Sequence, residues 1–330
     1  MILGGDVGGT KCNLALFDER SLGLVEQTAK RFPSHEYSKF EDVVSEFVRT
    51  VAEPAGAKVT AAGFGVAGPV VDGAVTATNL PWRVDSRSLA ALLGLPRISL
   101  VNDLEANAYG IHSLGPSDFE VLNAGAPGAR GMQAVIAAGT GLGEAGLFWD
   151  GKSHQPFSSE GGHADMAASN ELEDALVVYL RKRYGGHASW ERVLSGPGIR
   201  NVFEFLRDTG RGTVEPWLEE AMKREDPAAV FSRAALEGKS PICVQTLDMF
   251  VSLYGSEAGN LTLRYLAIGG IFVGGGIAPK ILQKMRSPIF MESFLAKGRL
   301  RPLLERVPVR VILNDSTALF GAARCAVIGV

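Results

Sequence analysis

Cysteine is scarce in this 330-residue sequence, and the three present, Cys12, Cys243 and Cys325, lie far apart. The count is odd and no two form a CxxC pair, which disfavours both a disulfide framework and a zinc site built from cysteines. Free cysteines suit a reducing compartment. The sequence therefore predicts a cytoplasmic protein.

Long apolar runs are also missing. The most apolar segment, residues 265–279 (YLAIGGIFVGGGIAP), is too short to span a bilayer and is interrupted by glycines. Asp6 and Lys11 fall where the apolar part of a signal peptide would have to lie. We therefore expect no membrane association, and we interpret 265–279 as a buried strand followed by a glycine turn.

Neither sign of charge dominates, since 33 basic and 36 acidic side chains give a formal net charge of −3. This balance provides no general attraction for nucleic acid or anionic lipid, so neither is predicted as a partner. The length, with 46% hydrophobic residues, exceeds what one core usually accommodates and predicts two domains.

Two common nucleotide-binding motifs are absent. No GxxxxGK[ST] segment occurs, which excludes a Walker-type site. Residues 139–143 (GTGLG) resemble the start of a dinucleotide fingerprint, but the residues that follow (EAGLFWDG) continue as a strand rather than a helix. A dinucleotide site is therefore not predicted.

Apolar runs rich in strand-forming residues alternate with helical patterns, which predicts an α/β fold with mixed sheets. Within 39–52, Val43, Val44, Phe47, Val48 and Val51 recur at helix spacing, so this helix should bury one face. The predicted strands lie near 1–4, 12–17, 62–67, 98–101, 133–138, 145–149, 268–273 and 308–313, and the predicted helices near 39–52, 86–93, 169–183, 198–207 and 242–254.

Two internal echoes suggest a duplicated architecture. Residues 4–19 (GGDVGGTKCNLALFDE) and 137–151 (AAGTGLGEAGLFWDG) each indicate strand, glycine turn and strand, with the chain reversing as a hairpin. Residues 100–106 (LVNDLEA) echo 312–318 (ILNDSTA) at the end of an apolar run. The pattern predicts two glycine hairpins facing each other across a cleft.

Each of these turns has a functional and a purely structural interpretation. In the first hairpin, glycines let backbone N–H groups approach a phosphate, and Asp6 suits a divalent cation; the alternative is a plain β-turn. Gly274–Gly276 could accommodate a flat ligand or form a tight strand-to-helix connection. Asp103, after Asn102, could cap a helix or accept a proton.

Eight segments in one order resemble the bacterial glucokinase family, within the hexokinase–Hsp70–actin superfamily. They are GGDVGGTK at 4–11, GVAGPV at 65–70, TNLPW at 78–82, VNDLEANA at 101–108, AAGTGLG at 137–143, SEGGHADMA at 159–167, WERVLSGPGI at 190–199 and IFVGGGIAP at 271–279. The resemblance covers most of the chain and fades over 208–242, where no function is assigned.

The resemblance implies a two-domain actin-like ATPase (ribonuclease H-like) α/β fold with mixed sheets and an interdomain cleft. Residues 1–112 would form the small domain, completed by 312–330, and residues 113–311 the large one. A C-terminal helix from about 315 to 327 would return to the first domain. A homodimer is also expected.

The same resemblance assigns roles to individual residues. Asp103 becomes the catalytic base, whereas Asp315, in the second Asn-Asp pair, is interpreted as a helix cap. Because no cysteine lies between residues 12 and 243, His163 is interpreted as a sugar ligand, and no protein-bound metal is predicted. The expected glucose ligands are Asn102, Glu160, His163 and Glu191, with Asn79 nearby, and the expected nucleotide-binding residues are Gly5, Asp6, Val7, Gly8, Gly9, Thr10, Gly139, Thr140, Gly141, Gly275 and Gly276.

The implied reaction is transfer of the ATP γ-phosphoryl group, with Mg²⁺, to the 6-hydroxyl of glucose, a step of glycolysis. The main alternatives are a kinase for another hexose or an amino sugar, and a sugar-sensing regulator without catalysis. The glycine hairpin begins at residue 4, which leaves no room before it in this sequence for the DNA-binding motif that would favour a regulator.

Overall fold

The structure is a computed structural model that describes residues 1–77 and 81–329. The strands are β1 (Ile2–Val7), β2 (Lys11–Phe17), β3 (Lys30–Pro33), β4 (Ala61–Val66), β5 (Ala74–Thr76), β6 (Arg83–Asp85), β7 (Ser99–Asn102), β8 (Phe119–Asn123), β9 (Gln133–Ala138), β10 (Leu142–Trp149), β11 (His154–Ser159), β12 (Gly270–Gly274) and β13 (Val309–Ile312). The α-helices are α1 (Phe40–Phe47), α2 (Ser86–Leu93), α3 (Asp103–Gly110), α4 (Glu171–Arg183), α5 (Gly196–Asp208), α6 (Pro216–Arg224), α7 (Pro227–Leu236), α8 (Pro241–Tyr265), α9 (Leu282–Met285), α10 (Pro288–Leu295), α11 (Arg301–Leu304) and α12 (Thr317–Ile328).

The first of two compact units comprises Met1–Pro116, Gln155–Ser158 and Asn314–Val330. Its five-stranded sheet has the order β3-β2-β1-β4-β7, in which β1 and β2 form an antiparallel hairpin and β4 and β7 continue in parallel. Helix α1 buries Val43, Val44 and Phe47 in the core, as the spacing predicts. It then continues as a π-helix, Val48–Ala52, and Val48 and Val51 stay only partly buried.

The second unit comprises Ser117–His154 and Ser159–Leu313. The six-stranded sheet has the order β11-β10-β9-β12-β13-β8. Here β9 and β10 form the antiparallel hairpin, and β12 and β13 continue in parallel. The long helix α8 is largely buried in a core that also contains α5, α7 and α10.

The two sheets share one arrangement, a hairpin followed by two parallel strands on the side of its first strand. The two Asn-Asp pairs follow the corresponding strands β7 and β13. The duplication and the two glycine hairpins predicted from the sequence are therefore confirmed as topology. The sequence did not indicate the short strands β3, β5, β6, β8 and β11, nor helices α6 and α7 in the region 208–242, nor helices α10 and α11 between β12 and β13.

Glycines let α12 lie directly on the first sheet and on α3. A Cβ built on Gly63 of β4 would collide with the carbonyl oxygen of Ala322, and one on Gly321 would collide with that of Ala106 in α3. The Ser99 hydroxyl donates to the Cys325 carbonyl at 2.9 Å, which ties β7 to the same helix. These contacts fix the start of α3, and with it Asp103.

Over residues 1–77 and 81–329, no helix combines the length and apolarity that a bilayer crossing requires.

Candidate functional site

Asp103 is the first residue of α3, and the residue before it, Asn102, is the N-cap of that helix. The Asn102 Oδ1 atom accepts the N–H groups of Leu104 at 2.9 Å and Glu105 at 3.4 Å, and its Nδ2 donates to the Gly68 carbonyl at 3.1 Å. One carboxylate oxygen of Asp103 also accepts the Leu104 N–H, at 2.9 Å. The N-terminal end of the helix favours a negative charge here. Asn102 therefore does most of the capping.

The predicted capping role of Asp315 is wrong. Helix α12 begins at Thr317 after an N-cap residue, Ser316, that makes no side-chain cap bond, and the Ser316 N–H donates to the side chain of Asn314 at 2.9 Å. The Asp315 carboxylate is 85% exposed and lies 4.0 Å from the Arg31 guanidinium. The two pairs occupy corresponding strands, but the chain continues for two more residues before α12 starts, so Asp315 falls outside the first turn.

Asp6, at the end of β1, lies close to Asp103. The parallel register places Asp6 beside Gly65 of β4, and a Cβ built on Gly65 would lie 3.5 Å from the Asp103 Cα. Asn13, opposite Asp6 on β2, donates to the Asp6 carboxylate at 3.2 Å and accepts from the Arg31 guanidinium at 3.1 Å. Two acidic residues predicted for different roles therefore share one end of the sheet.

The first glycine turn, Gly8–Thr10, is held by Ser34, a fully buried residue. The Ser34 hydroxyl donates to the Gly8 carbonyl at 2.8 Å, and its N–H donates to the Thr10 carbonyl at 3.1 Å. Because a trans peptide points its C=O and N–H in opposite directions, the Gly9 N–H faces away from Ser34. The turn therefore presents the Gly9 N–H on the side opposite its anchor, as phosphate binding requires.

Two of the predicted nucleotide residues in β1 have a packing role. A Cβ on Gly5 would meet the side chains of Phe64 and Leu14, and Val7 is a buried member of the same core. Their identities are thus explained without a ligand, and their contribution to nucleotide binding stays a prediction. The backbone at Gly8 avoids the left-handed region, so close approach is the property that the glycine supplies there.

The second glycine turn, Gly139–Gly141, connects β9 to β10. Its first residue accepts a bond from the Gly196 N–H at 2.8 Å, at the start of α5, which directs the Thr140 N–H away from that helix. A Cβ on Gly139 would meet no atom within 4 Å, and its φ avoids the left-handed region. Neither packing nor backbone conformation therefore explains the glycine. The same holds for Gly276 in the third turn.

The third turn, Gly274–Gly276, contacts the second directly. Gly275 has φ of +81°, and a Cβ there would collide with the carbonyl oxygen of Ala138. The Ile277 N–H donates to that same carbonyl at 3.3 Å. Two glycine segments that are far apart in sequence thus meet at the ends of adjacent parallel strands, which is where α/β folds place their ligands.

Three predicted sugar ligands gather around the start of β10. The segments 164–166 and 188–190 are joined by backbone bonds, including Trp190 N–H to the Ala164 carbonyl at 3.1 Å. Glu160 and His163 have exposed side chains, with the Nε2 and Oε2 atoms 3.9 Å apart. Glu191 turns inward and accepts the Leu142 N–H at 3.0 Å, beside Gly141. The structure therefore brings these three residues together, whereas Asn79 lies outside the described residues.

A buried acidic pair supports the loop that carries Glu160. Glu144 of β10 and Glu257 of α8 are almost fully buried, and the Arg264 guanidinium bonds to both carboxylates, at 3.3 Å and 2.6 Å. Burial and the neighbouring Glu257 charge raise the pKa of Glu144. A Cβ on Gly161 would collide with the Glu144 carboxylate, so the loop lies directly on it.

A family model described as Glucokinase matches residues 3–328. The chain belongs to the glucokinase family. It is 41% identical to a glucokinase from Nostoc punctiforme, with 99% of this chain and 98% of that protein aligned. It resembles the crystal structure of a glucokinase from an Antarctic psychrotroph with a TM-score of 0.84 and 33% identity, covering 98% of both chains.

A more distant structural relative supports the assignment of the fold. The ROK family glucokinase from Streptomyces griseus, solved with glucose and AMPPNP, gives a TM-score of 0.68 at 23% identity, with 98% of both chains covered. The predicted actin-like ATPase fold with mixed sheets is thereby confirmed for this glucokinase-family chain.

Sequence reasoning missed the residues that hold the turns. Ser34, which bonds the first turn, is buried and belongs to none of the eight family segments, so no motif pointed to it. The contact of Glu191 with the second turn was also missed, because a carboxylate in a glycine-flanked segment gives no hint of its backbone partner. Only the fold places these groups against the strand ends.

The electrostatics of Asp6 make a testable prediction about stability. Burial raises the pKa of the Asp6 carboxyl to about 6; the hydrogen bond from Asn13 opposes this rise, and the charges of Asp103 and Asp315 add to it. The folded protein therefore binds a proton at Asp6 more tightly than the unfolded chain does. Its stability should fall as the pH rises from about 4 to about 6, and the cost should persist above that range.

Asp6→Asn should relieve this cost. We expect the variant to unfold a few degrees above wild type at pH 7.5 and at the wild-type temperature near pH 4, corresponding to at most about 3 kcal/mol at neutral pH. Thermal unfolding monitored by circular dichroism across this pH range measures the difference. Asp315→Asn, at an exposed carboxylate, serves as the control and should show little gain. An Asp6→Asn gain that is equal at pH 4 and 7.5 would contradict the electrostatic cause.

Proposed function

We propose that this chain transfers the γ-phosphoryl group of ATP to the 6-hydroxyl of glucose, forming glucose 6-phosphate and ADP. The observation that carries the proposal is the position of Asp103. In a chain of the glucokinase family, its carboxylate begins α3 at the carboxyl end of a parallel strand, close to Asp6. Such a carboxylate can accept the hydroxyl proton as the oxygen attacks phosphorus.

The three glycine turns are proposed to bind the nucleotide. Support comes from Gly139 and Gly276, whose missing side chains have no explanation within the protein, and from the Gly9 and Thr140 N–H groups that point away from their anchors. Backbone N–H groups stabilise charge on phosphate oxygens without any rearrangement during the reaction.

Mg²⁺ is proposed to accompany ATP, and the first unit has a residue that fits it. Asp6 is an oxygen donor beside the first glycine turn, and its charge already lies in the field of Asp103 and Asp315, which a cation would relieve. Over residues 1–77 and 81–329, no three acidic, histidine or cysteine side chains come together as a metal site. Asp6 would therefore hold the cation jointly with the phosphates, where Mg²⁺ neutralises phosphate charge.

Glucose is proposed to bind through hydroxyl contacts with Glu160, His163 and Asn102. Carboxylate, imidazole and amide groups together offer both donors and acceptors, which can distinguish hydroxyl positions on a hexose. The Asn102 Oδ1 is used by the helix cap, so its Nδ2, already bonded to Gly68, is the group with remaining donor capacity. For Glu191, the oxygen opposite the one bonded to Leu142 would face the sugar.

The remaining predictions belong to the same proposal. We take the two compact units as the two domains of the family fold. A homodimer and a cytoplasmic location also remain predictions, as do the absence of membrane and nucleic-acid partners.

His163→Ala tests the sugar assignment. Loss of one polar contact should raise the KM for glucose about tenfold and leave the KM for ATP unchanged. A coupled assay of ADP release, run with glucose, mannose, fructose and glucosamine, measures both constants in wild type and variant. His187→Ala, at a histidine of similar exposure, serves as the control. If the wild type prefers another hexose, that hexose replaces glucose as the proposed substrate. If the KM for glucose is unchanged in His163→Ala, His163 is not part of the sugar site.

A further inference from the structure

The hydroxyl of Tyr254 lies at the point where the second and third glycine turns leave their strands. Tyr254 is a fully buried residue of α8. Its hydroxyl accepts the Ala138 N–H at 3.0 Å, and it lies 3.1 Å from the Gly274 carbonyl and 3.3 Å from the Ile136 carbonyl. Ala138 ends β9 and Gly274 ends β12, so one side chain is bonded to the last residue of both strands.

This is also where regular pairing between the strands stops. The register of β9 and β12 ends with Ala137 opposite Gly274. Beyond it, the chain turns through 139–141 on one side and through 275–276 on the other. The tyrosine hydroxyl, as both acceptor and donor, satisfies backbone groups of both strands at this end of the ladder.

The ring of Tyr254 is fixed by aromatic neighbours in the core. It packs edge-on against Phe250 and Phe290, with ring centroids 5.8 Å and 6.1 Å away, and its helix is buried over most of its length. Burial also raises the pKa of the hydroxyl, which keeps it protonated and able to donate. A rigid side chain therefore sets the position of two backbone segments.

We propose that Tyr254 is a positioning residue for nucleotide binding, whose hydroxyl sets the spacing and direction of the second and third glycine turns. Because Gly274 directs its carbonyl at the hydroxyl, the Gly275 N–H points the opposite way, toward the space left by the glycines. Gly275 also packs on the Ala138 carbonyl, so a shift of one turn moves the other. The inference rests on the proposed nucleotide role of these turns.

Tyr254→Phe removes the hydroxyl and keeps the ring. We expect the KM for ATP and the Kd for ADP to rise about tenfold, equal to about 1.4 kcal/mol, while the Kd for glucose stays within twofold. Calorimetric titration with ADP and with glucose, each alone, measures this split. Thr262→Val is the matched control: it removes a fully buried hydroxyl of the same helix that donates to the Ala258 carbonyl at 2.8 Å, away from the turns.

Equal changes in both affinities, or an unchanged ADP affinity, would overturn the positioning role. If Tyr254→Phe does not fold, 4-aminophenylalanine at position 254 replaces it, since its amine donates to Gly274 but accepts poorly from Ala138. Weaker ADP binding with intact glucose binding then supports the role, and wild-type affinities for both overturn it. Gly139→Val and Gly276→Val separate the two proposals: normal ADP binding in both variants would remove the second and third turns themselves from the nucleotide site.

Discussion

Replacing Asp103 with asparagine should lower kcat by about 10²–10⁴-fold, the usual effect of losing a general base. Asparagine keeps the size of the side chain and can still accept the Leu104 N–H, so the start of α3 should survive. The affinity for glucose, measured by calorimetry without nucleotide, should change far less than kcat. Steady-state kinetics at saturating glucose and ATP provide the rate.

The duplicated architecture supplies the control for this experiment. Asp315 follows the corresponding strand of the second sheet, and its exposed carboxylate is neither a cap nor part of α12. Asp315→Asn should therefore leave kcat within about twofold of wild type. A large loss in Asp315→Asn together with a small one in Asp103→Asn would reverse the catalytic assignment.

Gly139→Val should abolish most nucleotide binding without unfolding the protein. An added side chain at this position meets open space, so the melting temperature should stay close to that of wild type. The branched side chain would instead occupy the place proposed for phosphate. Losing two charge-assisted hydrogen bonds of about 1.5–3 kcal/mol each predicts a Kd for ADP at least about 100-fold higher. Gly139→Ala should show a smaller loss.

Gly275→Ala provides the contrasting case. Its left-handed φ of +81° and the Ala138 carbonyl both oppose a side chain, so this variant should lose stability as well as nucleotide affinity. Differential scanning calorimetry and ADP titration on the three variants separate the two causes. Normal ADP binding by Gly139→Val would exclude the second turn from the phosphate site.

Much of the fold follows from local patterns in the chain. Apolar runs predicted β1, β2, β4, β7, β9, β10, β12 and β13, because most residues of these strands are buried. The strands β3, β5 and β6 have only three or four residues, of which at most two are buried, and β8 and β11 contain no fully buried residue, so their sequences lack a continuous apolar run. Their pairing depends on neighbouring strands.

The capping error at Asp315 shows the limit of local patterns. Both Asn-Asp pairs follow an apolar run, and the same dipeptide suits either a helix start or a turn. In the first pair α3 starts at Asp103 itself, whereas in the second α12 starts at Thr317. What separates them is where each helix can pack: Gly110 and Gly321 set the contact between α3 and α12, and that contact is remote in sequence.

The sequence by itself determined the family and the class of chemistry, and it predicted which residues meet the substrates, because glycine turns, acidic residues and their order are written directly in the chain. Only the tertiary structure decided how those residues are held. Ser34 on the Gly8 carbonyl, Tyr254 between Ala138 and Gly274, and Glu191 on Leu142 each join residues that are distant in sequence. A buried hydrogen bond depends on distance and direction in space, and no local pattern of residue types encodes those quantities.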